Sequence, residues 1–349
     1  MSRHAPLASI LLQICFFVFT AAGLAREPLL TTYPHWDRAQ LAKLETIDTF
    51  VERMASRGDL AVFDYDGTMI GEEYRTPVGD IRCGQSTWHV WGAHHLAELP
   101  FLFPGFLTDG GAEEQRTNIL AVDDVLEGKT NVVPESVTKF WRIATFESGM
   151  TERQMRAGIE RYLDAYPPSR YVFLPVLDVL QRMLDRGIRV WLVTGSNPYF
   201  IATVLARIER TVPRAPGRRF DFGDLAKSPF VPFVRGRGGS RIVGNMARLD
   251  RLGRFTDVYD DRFVTNPERH RYVVDGEGKR VAAAHFIEPL EQARVVFCAG
   301  NSDGDYPLMR WIIDRDQDRL GLAVNARGQR LPNLTDRRVI HLSVEPPSK

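Results

Sequence analysis

The chain has 349 residues, 44% hydrophobic and 26% charged, which is enough apolar material for a buried core and excludes a disordered or low-complexity protein. Lys and Arg number 45 against 44 Asp and Glu, a formal net charge of +1. No global field selects for nucleic acid or an anionic membrane, so the expected partner is a small molecule and not a nucleic acid.

The N-terminus carries Arg3 and His4, then an apolar run over 7–24 broken only by Ser9, Gln13 and Thr20. Gly23 and Ala25 supply small residues at its end. That pattern is a secretory signal peptide, residues 1–25, cleaved after Ala25. It predicts a secreted or periplasmic bacterial protein with no stable membrane association once the leader is gone. A membrane span would need about 20 consecutive apolar residues. Ile14 precedes Cys15, where a lipoprotein site needs a small residue. The mature chain keeps Cys83 and Cys298. Cys298 lies in the run Val295, Val296, Phe297, Cys298, Ala299 and reads as a buried free thiol in a central strand.

Leu41, Leu44, Ile47, Phe50, Val51 and Met54 recur at helical spacing and predict a helix over 37–57 that stops at Gly58. The apolar run from Leu60 to Phe63 then ends in Asp64 and Asp66, with Gly67 and Thr68 next. A short apolar run bounded by turn residues predicts a buried strand over 60–64. Its two carboxylates then sit at the C-terminal edge, where open α/β sheets bind ligands. With no Lys or Arg adjacent, the pair implies a divalent cation or a shared proton.

Helix formers mixed with aromatics follow, among them Trp88, Trp91, Phe101, Phe103, Trp141 and Phe146. Residues 76–169 are predicted to form an inserted, mainly helical cap between the first and second motifs. His89, His94 and His95 lie in it without a carboxylate pattern that would support a metal site. A helix over 175–185 stops at Gly187 and feeds a second strand, 188–193, followed by Thr194, Gly195 and Ser196. Residues 212–278 are rich in Arg, Gly and Pro and read as an irregular insertion. Within it a hairpin is expected between 258–264 and 272–274. Gly278 and Lys279 open a helix over 280–286. A third strand, 294–299, precedes Gly300, Asn301, Ser302, Asp303, Gly304 and Asp305, and a fourth spans 320–324. After His341 a short strand and then a loose end are expected. Strands rich in Val, Leu and Ile without alternation, separated by helices, define an α/β class: a doubly wound, Rossmann-like parallel sheet built from 26–75 and 170–349.

Four signatures therefore occur in order: Asp64 to Thr68, Thr194, Gly278 with Lys279, and Gly300 to Asp305. In that order they resemble the haloacid dehalogenase superfamily of phosphohydrolases, in its phosphoserine phosphatase-like branch. The resemblance implies a Mg2+-dependent phosphomonoesterase that hydrolyses a small organic phosphate ester through an aspartyl-phosphate. It implies Asp64 as nucleophile, Asp66 as acid and base, and Thr194 and Lys279 as contacts to the phosphoryl oxygens. Thr68, Gly195 and Ser196 join the substrate-binding set. Magnesium would be held by Asp64, by Asp66 through its carbonyl, and by help from Asn301, Asp303 or Asp305. The chain departs from the family at Asn301, where Asp is usual, and an Asn carbonyl ligates with less charge. Asp305 has a second reading, as a group that orients Lys279 or its own loop. Glu72, Glu73 and Trp88 set acids near an aromatic ring, a combination that receives a quaternary ammonium by cation–π contact. In this, and over 278–283, the chain is similar to bacterial phosphorylcholine phosphatases. Two further readings stand beside hydrolysis: phosphoryl transfer to another acceptor, and a non-catalytic ligand-binding protein on a degenerate hydrolase fold.

Overall fold

A sheet of six strands, all parallel, organises the chain. The computed structural model describes residues 29–71, 147–165, 167–229, 233–235, 237–265 and 273–347. The expected leader, Cys83, Glu72, Glu73, Trp88, the three cap histidines and most of the expected cap lie outside the described residues.

Helix α1 (Leu41–Ala55) starts four residues later than its spacing predicts and buries Leu44, Ile47, Phe50, Val51 and Met54, while Leu41, the other expected position, is half-buried. It closes ahead of Gly58, and β1 (Leu60–Phe63) enters the centre of the sheet with every residue buried. Of the expected cap, the described part holds α2 (Glu152–Ala165). Then come α3 (Leu174–Asp185), β2 (Arg189–Val193) and α4 (Pro198–Thr211). Proline stands in the first turn of both α3 and α4, where its missing N–H costs nothing. The insertion contributes β3 (Ile242–Val243), β4 (Ala247–Leu249) and β5 (Phe255–Tyr259). A helical run follows, opening as α5 (Glu277–Val281) and continuing through a π-helical stretch, Ala282–Ile287. The chain ends with β6 (Val295–Gly300), α6 (Tyr306–Arg315), β7 (Leu320–Val324) and β8 (Val339–Leu342).

The sheet order is β8-β7-β6-β1-β2-β3. The winding direction reverses between β1 and β6, which makes their C-terminal ends the topological switch point of a doubly wound sheet. Successive strand residues feed opposite faces. Ala61 and Phe63 join a core with α1, α3 and α4, while Leu60 and Val62 join another with the helical run after Gly276 and with α6. Each fully buried Val, Leu or Phe contributes roughly 1.5–3 kcal/mol. Cys298 is a buried free thiol in β6, as expected. α2 packs on α4 through Tyr162 against Phe200 (6.0 Å between ring centres) and the ion pair of Arg207 with Glu160 (2.6 Å). No helix among the described residues is long and apolar enough to cross a membrane.

Two expectations are corrected. The described hairpin of the insertion joins β5 to β4, and Val273 and Val274 lie in no strand, while Tyr272 lies outside the described residues. Asp250 explains this: its Oδ1 accepts the N–H groups of Leu252 and Arg254, and Gly253 donates to its carbonyl. A turn stapled so locally closes at lower entropic cost than a distant partner would. At the C-terminus, the strand begins at Val339, ahead of His341. The chain then stays tied as far as Val344, whose N–H and carbonyl pair with the Asn325 side chain (2.9 and 2.8 Å).

Candidate active site

β1 delivers Asp64 to the switch point, and a backbone hydrogen bond from the Asp64 N–H to the Ala299 carbonyl (2.9 Å) fixes it against β6. Asp64 is almost wholly buried. Its Oδ1 accepts from Lys279 Nζ at 2.7 Å and its Oδ2 from the Thr68 hydroxyl at 2.9 Å. Lys279, from α5, is equally buried and donates again, to Asp305 Oδ1 at 2.6 Å. Asp66 lies on the side of β2: its Oδ2 accepts a short hydrogen bond from the Ser196 hydroxyl and a long one, 3.5 Å, from Thr194 Oγ1. Thr194 Oγ1 also accepts the Ser196 N–H at 3.1 Å. Four segments of the chain thus meet in one cluster, with Asp64 and Lys279 themselves 215 positions apart.

The electrostatics follow from the census. Two carboxylates (Asp64, Asp305) bond one ammonium, and the charges of Asp66 and Asp275 also act on that group of three. Burial raises the pKa of the Asp64 carboxyl, to about 7, and the Asp305 charge adds to it, while Lys279 pulls the other way. For Lys279, burial alone would lower the pKa, but Asp305, Asp64 and Asp275 overcome it and push it up, so the ammonium stays charged. The site is left with excess negative charge, and its donors are hard oxygens. Among the described residues no group of three or more His, Cys, Asp and Glu side chains is arranged to hold a metal ion. Asp64, Asp66 and Asn301, all buried in this cluster, are the oxygen-bearing residues that could hold a hard divalent cation. That donor set suits Mg2+, which commonly keeps several waters and takes only one or two carboxylates.

Two of the expected metal residues are employed elsewhere. Asp303 turns both oxygens onto the backbone N–H groups of Gln329, Arg330 and Leu331 (2.8–2.9 Å). Asp305 divides its carboxylate between Lys279 and the N–H groups of Asn301 (2.9 Å) and Ser302 (3.1 Å), the orienting role that was its second reading. Gly300 is required by this fold-back: a Cβ there would meet the Asp305 Cβ at 2.4 Å. Asn301 is buried in the same loop, its carbonyl accepting from the Arg327 N–H (2.8 Å). Thr68 and Ser196 are brought into the cluster, but their hydroxyls lie on the two carboxylates. Gly195 lies in the same loop, its carbonyl accepting from the Asn245 side chain.

The sequence gives no signal for Glu147. It is fully buried beside the loop after β2, its Oε1 accepting from Asn197 Nδ2 (2.9 Å) and from the Ala247 N–H (3.4 Å). Oε2 has no hydrogen-bond partner among the described residues. Burial raises its pKa to about 8, against the opposing effect of those hydrogen bonds. Asn197 in turn caps α4, accepting from the Tyr199 N–H at 2.8 Å. A lone Glu between Phe146 and Ser148 has no pattern that separates it from a solvated one.

No family model matches the chain, and no curated protein matches it either. Among solved structures it is similar to a protein of unknown function from Bordetella pertussis Tohama I, at 17% identity over 77% of this chain and 90% of that one (TM-score 0.47). It is also similar to cytosolic 5′-nucleotidase IIIB bound to cytidine, at 14% identity over 85% and 82% of the two chains (TM-score 0.44). A phospho-aspartyl intermediate analogue of phosphoserine phosphatase aligns at 12% identity over 77% and 87% (TM-score 0.38). The chemistry of this chain is therefore read from its own side chains.

Proposed function

We propose that the protein is a phosphomonoesterase of the haloacid dehalogenase type that hydrolyses a small organic phosphate ester. One observation carries this reading: a buried carboxylate, Asp64, held by Lys279 and Thr68 at the switch point, with a second carboxylate, Asp66, two positions on and supported by separate hydroxyls. A phosphoryl transfer needs an in-line nucleophile, charge neutralisation on the non-bridging oxygens, and a proton for the leaving alkoxide.

Asp64 attacks phosphorus as the ester P–O bond breaks, giving an aspartyl-phosphate. Asp66 gives its proton to the departing alkoxide and later takes one from the water that hydrolyses the acyl phosphate, releasing phosphate and regenerating both carboxyls. Lys279 offsets the charge of the arriving dianion, and Thr194 and Ser196 hold Asp66 in register. Mg2+, when bound by Asp64, the Asp66 carbonyl and Asn301, would supply further neutralisation of the phosphoryl oxygens.

The proposal extends to cellular place and substrate class. The N-terminal pattern over 1–25 supports export, and a mature protein from the source cell should then begin at Arg26. Glu72, Glu73 and Trp88 support an ester with a cationic leaving group such as phosphocholine. The deciding experiment is phosphate release with Mg2+ across p-nitrophenyl phosphate, phosphocholine, phosphoserine, phosphoethanolamine, nucleotides and sugar phosphates. Turnover by the wild type, lost at least 1000-fold in Asp64→Asn, is expected. Wild type and Asp64→Asn inert toward every ester would refute the reading.

A further inference from the structure

We propose that Asn245 is a positioning residue that ties the loop after β2 to the segment carrying Lys279, and so sets the spacing between the two halves of the site. This rests on the phosphatase reading for its effect on turnover, though not for the tie itself.

Asn245 follows β3 in a stretch with no charged residue and no catalytic pattern, and only 1% of it is exposed. Its side-chain nitrogen and oxygen and its backbone N–H find partners in two different parts of the site. Nδ2 donates to the Gly195 carbonyl at 2.8 Å, and the backbone N–H donates to the Ser196 carbonyl at 3.2 Å. On the other side, Oδ1 accepts the Val274 N–H at 2.9 Å and the Tyr259 hydroxyl. The approach is close: a Cβ on the neighbouring Gly244 would meet the Ser196 carbonyl at 2.3 Å.

What lies at each end gives the tie its consequence. Ser196 holds Asp66. Val274 leads into Asp275 and Gly276, whose carbonyls accept from the Gly278 and Lys279 N–H groups (2.8 and 3.2 Å) as α5 begins. One side chain therefore spans from the support of the proton-handling carboxylate to the start of the helix bearing the ammonium. Among the described residues no backbone ladder does this, because Gly195, Ser196 and Val274 lie outside every strand. A buried amide using both its donor and its acceptor is a rigid spacer, since leaving either group unpaired costs about 1–3 kcal/mol. A displacement of about 1 Å at a reacting centre costs about 100-fold in rate.

The test uses the mature protein with Asn245→Ala and Asn245→Asp, read in two ways. By amide hydrogen exchange, Asn245→Ala should lose protection in peptides covering both 194–197 and 273–279, with melting retained as one cooperative transition. Asn245→Asp keeps an acceptor for Val274 but sets an oxygen against the Gly195 carbonyl, so it should loosen 194–197 alone. By kinetics on p-nitrophenyl phosphate and phosphoserine, Asn245→Ala should lower kcat about 10- to 100-fold, equally for both esters, with KM changed less than threefold. Unchanged protection at Val274 in Asn245→Ala would overturn the tie. Protection lost with kcat intact would overturn its role in positioning. If wild type and Asp64→Asn both release no phosphate, the phosphatase reading fails while the exchange experiment still decides the tie.

Discussion

Glu147→Gln isolates one buried acid that the chemistry does not use. In the folded protein its carboxyl is raised from 4.5 to about 8 by burial, with one oxygen serving Asn197 and Ala247 and the other without a partner among the described residues. In the unfolded chain it titrates at its ordinary value. Between those two pH values the folded state binds a proton that the unfolded state has released, so stability declines as pH rises. The contribution is fully present below about pH 4.5 and is lost as the pH climbs to about 8. The interval bounds the effect at about 5 kcal/mol, and water entry on ionisation brings the expected value to about 2–4 kcal/mol. Gln keeps the acceptor toward Asn197 and cannot ionise, so the variant lacks this component. Asp64 and Asp178, also raised by burial, titrate in both proteins and cancel in the difference. Urea unfolding at pH 5, 6.5 and 8.5 measures it. The two proteins should match within about 1 kcal/mol at pH 5, and Glu147→Gln should be the more stable by about 2–4 kcal/mol at pH 8.5. Parallel stability curves across that range would refute a neutral Glu147.

Lys279→Met leaves Asp64 and Asp305 buried without their cation, and should cost about 3–5 kcal/mol at pH 7, with the loss shrinking toward pH 4 as the raised Asp64 carboxyl protonates; denaturant midpoints at both pH values check it. Asp303→Ala strips three backbone N–H groups of their acceptor and should cost about 1–3 kcal/mol in thermal unfolding, while the Mg2+ concentration for half-maximal phosphatase activity stays within twofold of wild type. Asn301→Asp adds a charge where the Mg2+ site is proposed and should lower that concentration about 3- to 10-fold; an unchanged or higher value would remove Asn301 from the ligand set.

The parts of this molecule that could be read in advance share a physical cause. A strand buried on both faces must be apolar throughout, so Leu60 to Phe63 and Val295 to Ala299 stand out, and so does any carboxylate that ends them. Asp64, Asp66 and Thr194 are visible because a chain that turns at a sheet edge presents its next residues there. Lys279 carries no such mark: its meaning is a 2.7 Å contact with a residue 215 positions earlier, and only the order of the signatures anticipates it. The acids of the fourth signature were legible as a group but not one by one. Asp303 and Asp305 are two positions apart, yet one serves a loop near Leu331 and the other serves Lys279. Which oxygen meets which N–H depends on a fold-back that a two-residue spacing does not encode. Edge strands are hidden for a different reason. β3 has two residues, too few for any periodicity, and its place beside β2 comes from pairing with a strand already formed. Asn245 and Glu147 are least legible of all, since a buried polar residue is defined wholly by partners supplied from elsewhere. Polar groups that bridge distant segments are thus where sequence patterning says least. In this fold they are also what holds the loop after β2, α5 and the end of the cap stretch in mutual register.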